Sequence, residues 1–201
     1  PNIKYYMVEG TTTGYLSMET FSNTLATQVK NALEKLENEG MTNLIIDLRN
    51  NTGGYLTSAS DVASIFLEKG QKIYGLEYEN KVTYYNDETK EHKEYQIVVL
   101  INGNTASAAE ILTAALKESY GATIVGETSF GKGKVQQTMK LDDGSMVKYT
   151  SAYWLTPNGT CIDETGINPD YYVANNQTTD ESGATIVEDT QLNRAIEILS
   201  E

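Results

Sequence analysis

A chain of 201 residues, 39% of them hydrophobic and 21% charged, is long enough to bury a core of its own, and its length suits one domain. The formal charge of −13 sets a repulsive field before phosphate backbones and anionic headgroups, which argues against nucleic acid and membrane surfaces as partners. No apolar run nears the roughly 20 residues needed to cross a bilayer, and the opening PNIKYYMVEG lacks a signal-peptide profile.

Taken in chain order, KYYMVEGTTTGYLSME reads as two short strands punctuated by Gly10 and Gly14. Phe21, Leu25, Val29, Ala32, Leu33 and Leu36 then recur at helical spacing up to Gly40, where a left-handed C-cap costs least. NLIIDL (43–48) is a short apolar run suited to a buried strand. The glycine-bearing RNNTGG follows it, then a second helix near SASDVASIFLEKG. A tyrosine-rich interlude over 71–96 reads as β structure and leads into the buried strand IVVLIN (97–102). A helix opens after Ser107 and runs to about Tyr120. The strand ATIVGE, the loop TSFGKG and two strands around Asp143-Gly144 come next. The tail places Leu192, Ile196 and Leu199 on one face of a helix over 188–200, and residues 175–185 before it read as a mobile linker. Three cycles of strand, sharp turn and helix predict an α/β fold, layered, with a mixed β-sheet. No internal repeat is visible.

The chemistry is constrained by scarcity. Cys161 is the lone cysteine, so neither an internal disulfide nor a multi-cysteine metal site can form. His92, the lone histidine, lies in the polar stretch DETKEHKEYQ, a poor setting for a Ser-His-Asp base. The acidic residues show no metal-ligand spacing, and Walker and dinucleotide glycine patterns are missing, so neither a metal nor a cofactor is expected. Ser107 followed by Glu110 fits a capping box, and locally that reading outweighs a nucleophile. With no usable histidine, a serine needs another base. A neutral lysine can serve if it is desolvated or set near positive charge. Lys132 and Lys134 in SFGKGKVQQ are the candidates, because glycines and apolar neighbours replace the usual acidic company. Spacing does not choose between them, and a solvated glycine loop explains the same residues. In DLRNNTGG (47–54), at a strand end, adjacent glycines would let amides approach a ligand or form an oxyanion hole. Asp47 and Arg49 read as a structural ion pair that ties down the turn.

The order DLRNNTGG, NTASAAEI, GETSFGKGKVQ, continued by YWLTPNGTCIDETGINPDYYV and DTQLNRAIEIL, resembles the peptidase core of the C-terminal processing (tail-specific) proteases over nearly the whole chain. The resemblance implies a crotonase-like layered core and a serine endopeptidase acting through an acyl-enzyme on unfolded proteins or apolar C-terminal tails. It implies Ser107 as nucleophile, Lys132 as base and Gln136 as the group that orients the lysine. The oxyanion hole would come from the backbone amides of Gly53 first, of Gly54 second, and of Ala108. It also implies an extracytoplasmic location and a PDZ module that recruits substrate; none is recognisable in residues 1–201. Thr105 and Ala109 depart from serines frequent in the family, Lys134 adds a second amine, and Cys161 is expected to pack as a small apolar side chain. A non-catalytic ligand- or peptide-binding domain of the same fold is the competing expectation. A coenzyme A enzyme is weaker, since the acidic chain offers little for nucleotide phosphates.

Overall fold

The computed structural model describes residues 2–201, with backbone alone at 176–179 and 186–187. Its centre is a six-stranded sheet in the order β1-β2-β3-β6-β7-β10, built from β1 (Ile3–Met7), β2 (Thr13–Met18), β3 (Asn43–Asp47), β6 (Gln96–Ile101), β7 (Thr123–Gly126) and β10 (Tyr171–Tyr172). β1 pairs antiparallel with β2 and every other pairing is parallel, so the sheet is mixed, as expected. Gly14 falls inside β2 rather than between two strands.

The central strands are apolar on both faces because both are covered. Leu16, Leu44, Ile46, Val99 and Ile124 point into a core formed with α1 (Leu25–Asn38), α2 (Leu56–Phe66) and α3 (Ala108–Ala115). The alternate residues Tyr15, Ile45, Val98, Leu100 and Val125 meet Ala195, Ile198 and Leu199, at the C-terminal end of the chain where α4 (Thr190–Ile198) lies. β2, β3, β6 and β7 are added in one direction. With right-handed crossovers, that progression stacks the intervening helices on one face.

α3 does not run uniformly to Tyr120. Residues Leu116–Tyr120 form a π-helical turn that ends on Gly121 in the left-handed region. The tyrosine-rich interlude supplies β4 (Lys72–Tyr78) and β5 (Lys81–Asn86), which join β8 (Lys134–Lys140) and β9 (Met146–Leu155) in a second sheet ordered β5-β4-β9-β8. Residues expected as a linker instead pair as a hairpin, β11 (Asn176–Thr179) with β12 (Thr185–Glu188). Its turn is closed by Asp180, whose Oδ1 accepts from the amides of Ser182 and Ala184. Polar composition indicated a loop, but an Asx-type turn of this kind also closes a hairpin. Cys161 is exposed rather than packed, because its short bridge to Leu155 leaves it at the surface. Among the described residues, no helix is long and apolar enough to cross a membrane.

Candidate active site

Three loops meet beyond the carboxyl ends of β3, β6 and β7, the place where open α/β sheets form ligand crevices. They are stitched together by backbone. The Ala106 amide donates to the Asn51 carbonyl at 3.0 Å and the Phe130 amide to the Thr105 carbonyl at 2.9 Å. Thr105, fully buried, donates its hydroxyl to the Leu48 carbonyl at 2.8 Å.

Ser107 sits immediately before α3 with φ 56° and ψ −120°, a left-handed backbone setting that a non-glycine residue holds only when its surroundings enforce it. Half of the expected capping box is explicit: the Glu110 carboxylate accepts from the Ser107 amide at 2.8 Å. The turn after β3 lies against the serine. Gly53 has φ +107°, and a Cβ there would stand 2.9 Å from Ser107 Cβ and 3.1 Å from the Ala108 nitrogen. Gly53→Ala is therefore expected to cost about 1–3 kcal/mol in backbone strain, read by denaturant unfolding, and to displace Ser107.

The turn itself is built on Asn51, fully buried. Its Nδ2 donates to the Met18 carbonyl, and its Oδ1 accepts from the Gly53 amide, both at 2.9 Å. Gly53 thus spends its amide inside the turn. Among the described residues, the amides of Gly54 and Ala108 carry no hydrogen bond. Gly54 bridges Phe21 in parallel through its neighbours' groups, with Phe21 N donating to the Gly53 carbonyl and Tyr55 N to the Phe21 carbonyl. Of the two glycines expected in the oxyanion hole, the second has the free donor.

Lys132 and Lys134 are separated by their partners. Lys134 lies 3.5 Å from Asp163 and 3.8 Å from Glu164, and these carboxylates, Asp163 foremost, hold its ammonium above the ordinary lysine value. Lys132 makes no ion pair among the described residues. Its backbone is fixed on both sides. Its amide donates to Glu110 Oε2 at 3.0 Å, and its carbonyl accepts from the Trp154 indole at 2.7 Å. Its side chain, expected to be desolvated, is exposed. The flanking Gly131 and Gly133 are buried against residues 163–166, so the loop tucks its backbone away and leaves the lysine facing an open pocket of about 480 Å³ that Phe130, Ala106 and Thr52 also line. Gln136 is exposed on β8. Among the described residues, no hydrogen bond joins Ser107, Lys132 and Gln136 side chains to one another.

His92 contacts the Phe66 carbonyl and the carboxylates of Glu94 and Glu68, none of which belongs to these loops. Asp47 and Arg49 form the expected structural ion pair at 2.7 Å. The sequence did not reveal the extension of that pair: Arg49 also holds Asp189 at 2.7 Å and Gln191 at 3.0 Å, and Tyr15 donates to Asp47 at 2.6 Å.

Residues 12–173 match the description of peptidase family S41. The chain belongs to that family. It is 43% identical over 157 residues to the carboxy-terminal processing protease CtpA of Bacillus subtilis (strain 168), covering 78% of this chain and 34% of that protein. It is 40% identical over 160 residues to a probable CtpA-like serine protease of Staphylococcus aureus (strain N315), covering 78% and 32%. Among solved structures, the photosystem II D1 C-terminal processing protease superposes with a TM-score of 0.79 at 29% identity, over 87% of this chain and 48% of that one. The chain thus spans about a third of the length of these two sequence relatives and about half of that structure.

Proposed function

We propose that this S41 chain carries the catalytic core of a serine endopeptidase that cleaves unfolded proteins or apolar C-terminal tails. The observation that carries the proposal is the strained Ser107 turn at the start of α3, followed by the unbonded Ala108 amide and packed against Gly53 of the glycine turn. Ser107 Oγ attacks the scissile carbonyl while neutral Lys132 Nζ takes its proton. The ammonium so formed passes that proton to the departing amine as the C–N bond breaks and Ser107 is left as an ester. Water, deprotonated in its turn by Lys132, attacks the ester and releases the carboxylate product, and the proton returns to Ser107. Gln136 orients the amine. The Ala108 and Gly54 amides, with Gly53 shaping the turn, stabilise the oxyanion; one such donor is worth about 3 kcal/mol. The exposed phenyl ring of Phe130, beside Ala106 and Lys132, offers apolar contact to a substrate side chain. Location outside the cytoplasm and a PDZ module elsewhere in the protein belong to the same proposal and rest on the family resemblance.

The open Ser107–Lys132 arrangement also suits a binding domain without catalysis. Catalytic hydrogen bonds are often long before substrate binds and tighten in the complex, which reconciles it with the peptidase reading. The test is cleavage of an unfolded protein such as reduced casein by this chain, alone and joined to a PDZ module. Fragments that disappear with Ser107→Ala are expected, and identical digests from wild type and Ser107→Ala in both forms would leave the binding domain.

A further inference from the structure

Glu110 lies on α3, three residues after the proposed nucleophile, and is fully buried. A buried carboxylate is costly unless its acceptor positions are filled. Here each oxygen receives two donors. Oε1 accepts from the Ser129 hydroxyl and the Gly131 amide, both at 2.6 Å. Oε2 accepts from the Ser107 amide at 2.8 Å and the Lys132 amide at 3.0 Å. A carboxylate offers about four such positions, so the group is saturated.

The arrangement is more than a helix cap. A cap serves the first turn of its own helix, whereas three of these four donors come from the loop after β7, 19 to 22 residues away in sequence. One oxygen bonds the backbone of both Ser107 and Lys132. Ser129 carries the link further, accepting from the Ile167 amide at 2.7 Å, so the loop that buries Gly131 is fixed to the same point.

We propose that Glu110 is the positioning residue of the active site, the single group that sets the nucleophile's loop and the base's loop at a fixed separation. This rests on the peptidase reading of Ser107 and Lys132. The side chains of that pair share no hydrogen bond before substrate arrives, so their approach depends on where their backbones are held. Glu110 holds both. Glu110→Gln keeps the shape but turns an NH₂ group toward two N–H or O–H donors, breaking the clamp on one side without emptying the site.

The test uses the full chain and measures kcat and KM for reduced casein together with amide hydrogen exchange. In Glu110→Gln, kcat is expected to fall about 100-fold, the scale of an ångström-level misplacement, with KM within about threefold and with faster exchange at Ser107, Gly131 and Lys132. Ser129→Ala is expected to fall about tenfold, since it removes one of the four donors. Glu110→Asp, which keeps the charge on a shorter arm, is expected to recover part of the lost kcat. A wild type that cleaves, with Glu110→Gln keeping kcat and slow exchange at the three amides, overturns the clamp while leaving the peptidase reading intact. A Glu110→Gln chain that is globally unfolded by circular dichroism shifts the decision to Ser129→Ala, where unchanged kcat overturns the proposal. If wild type and Ser107→Ala are equally inert, the peptidase reading falls and takes the catalytic meaning of the clamp with it, even where exchange shows the three amides protected.

Discussion

Lys132→Ala is expected to reduce kcat for protein cleavage to the residual level of Ser107→Ala, about 10⁴- to 10⁶-fold below wild type, and the double variant is expected to be no slower than either single one. Non-additivity of this kind marks residues that act as one unit, because removing either partner already abolishes the step they share. Lys134→Ala is the contrasting variant. Its amine faces Asp163 and Glu164, which favour its charged form, so a change within about threefold is expected, as for an exposed ion pair. Steady-state kinetics on the four proteins decides the matter. Equal losses at Lys132 and Lys134 would mean that the FGKGK loop acts through its overall charge or fold, and the assignment of the base would fail. The carboxylates that distinguish Lys134 from Lys132 lie 29 and 30 residues further along the chain, which is why spacing alone left the two lysines equivalent.

Much of the architecture was legible because it follows from local rules. Period 3.6 over residues 21–40 and 190–199 gave α1 and α4, and the buried runs 43–48 and 97–102 gave β3 and β6. The serine turn and the glycine turn could be placed at strand ends for the same reason. What escaped notice depended on contacts between distant segments. Ser107-x-x-Glu110 read as a capping box, which is correct for the bond within the helix start, yet nothing near Glu110 announces the Ser129, Gly131 and Lys132 donors. The exposure of Lys132 follows from how Gly131 and Gly133 pack against residues 163–166, a tertiary fact. In DLRNNTGG the resemblance put Gly53 ahead of Gly54 as oxyanion donor; the Asn51 side chain takes the Gly53 amide, a contact that the motif does not announce. The hairpin over 176–188 was missed because its composition is that of a loop, and only pairing with its own return strand makes it β structure.

Arg49→Met is expected to be the most destabilising substitution outside the apolar core, costing about 3–5 kcal/mol in reversible unfolding, the usual penalty for leaving one member of a buried pair without its partner. Asp47 would be that member, since its side chain is only 7% exposed and retains just Tyr15 and the Arg49 backbone amide as donors. Asp189→Asn should cost less, about 1 kcal/mol, because that carboxylate is 36% exposed and solvent screens it. The pH dependence follows from the same cluster. Burial works to raise the Asp189 pKa, but the bonds from Arg49 and the Leu192 amide outweigh it and hold the group below the ordinary value. Its contribution is therefore fully present above the unfolded carboxylate pKa near 3.9 and is lost as pH falls through the lower folded value. Tyr15 is shifted the other way, raised by burial and then by Asp47, so its contribution is present below the unfolded phenol value near 10 and is lost as pH rises beyond it. Stability measured from pH 2 to 11 should show a plateau with both shoulders in wild type. In Arg49→Met the acid shoulder should shrink, because without the guanidinium the folded-state value of Asp189 rises toward the unfolded one and the pH-dependent contribution of that carboxylate is lost. An acid shoulder unchanged by Arg49→Met would mean that the Arg49–Asp189 pair, which joins the DLRNNTGG turn to the start of α4, does not bear on the fold's stability.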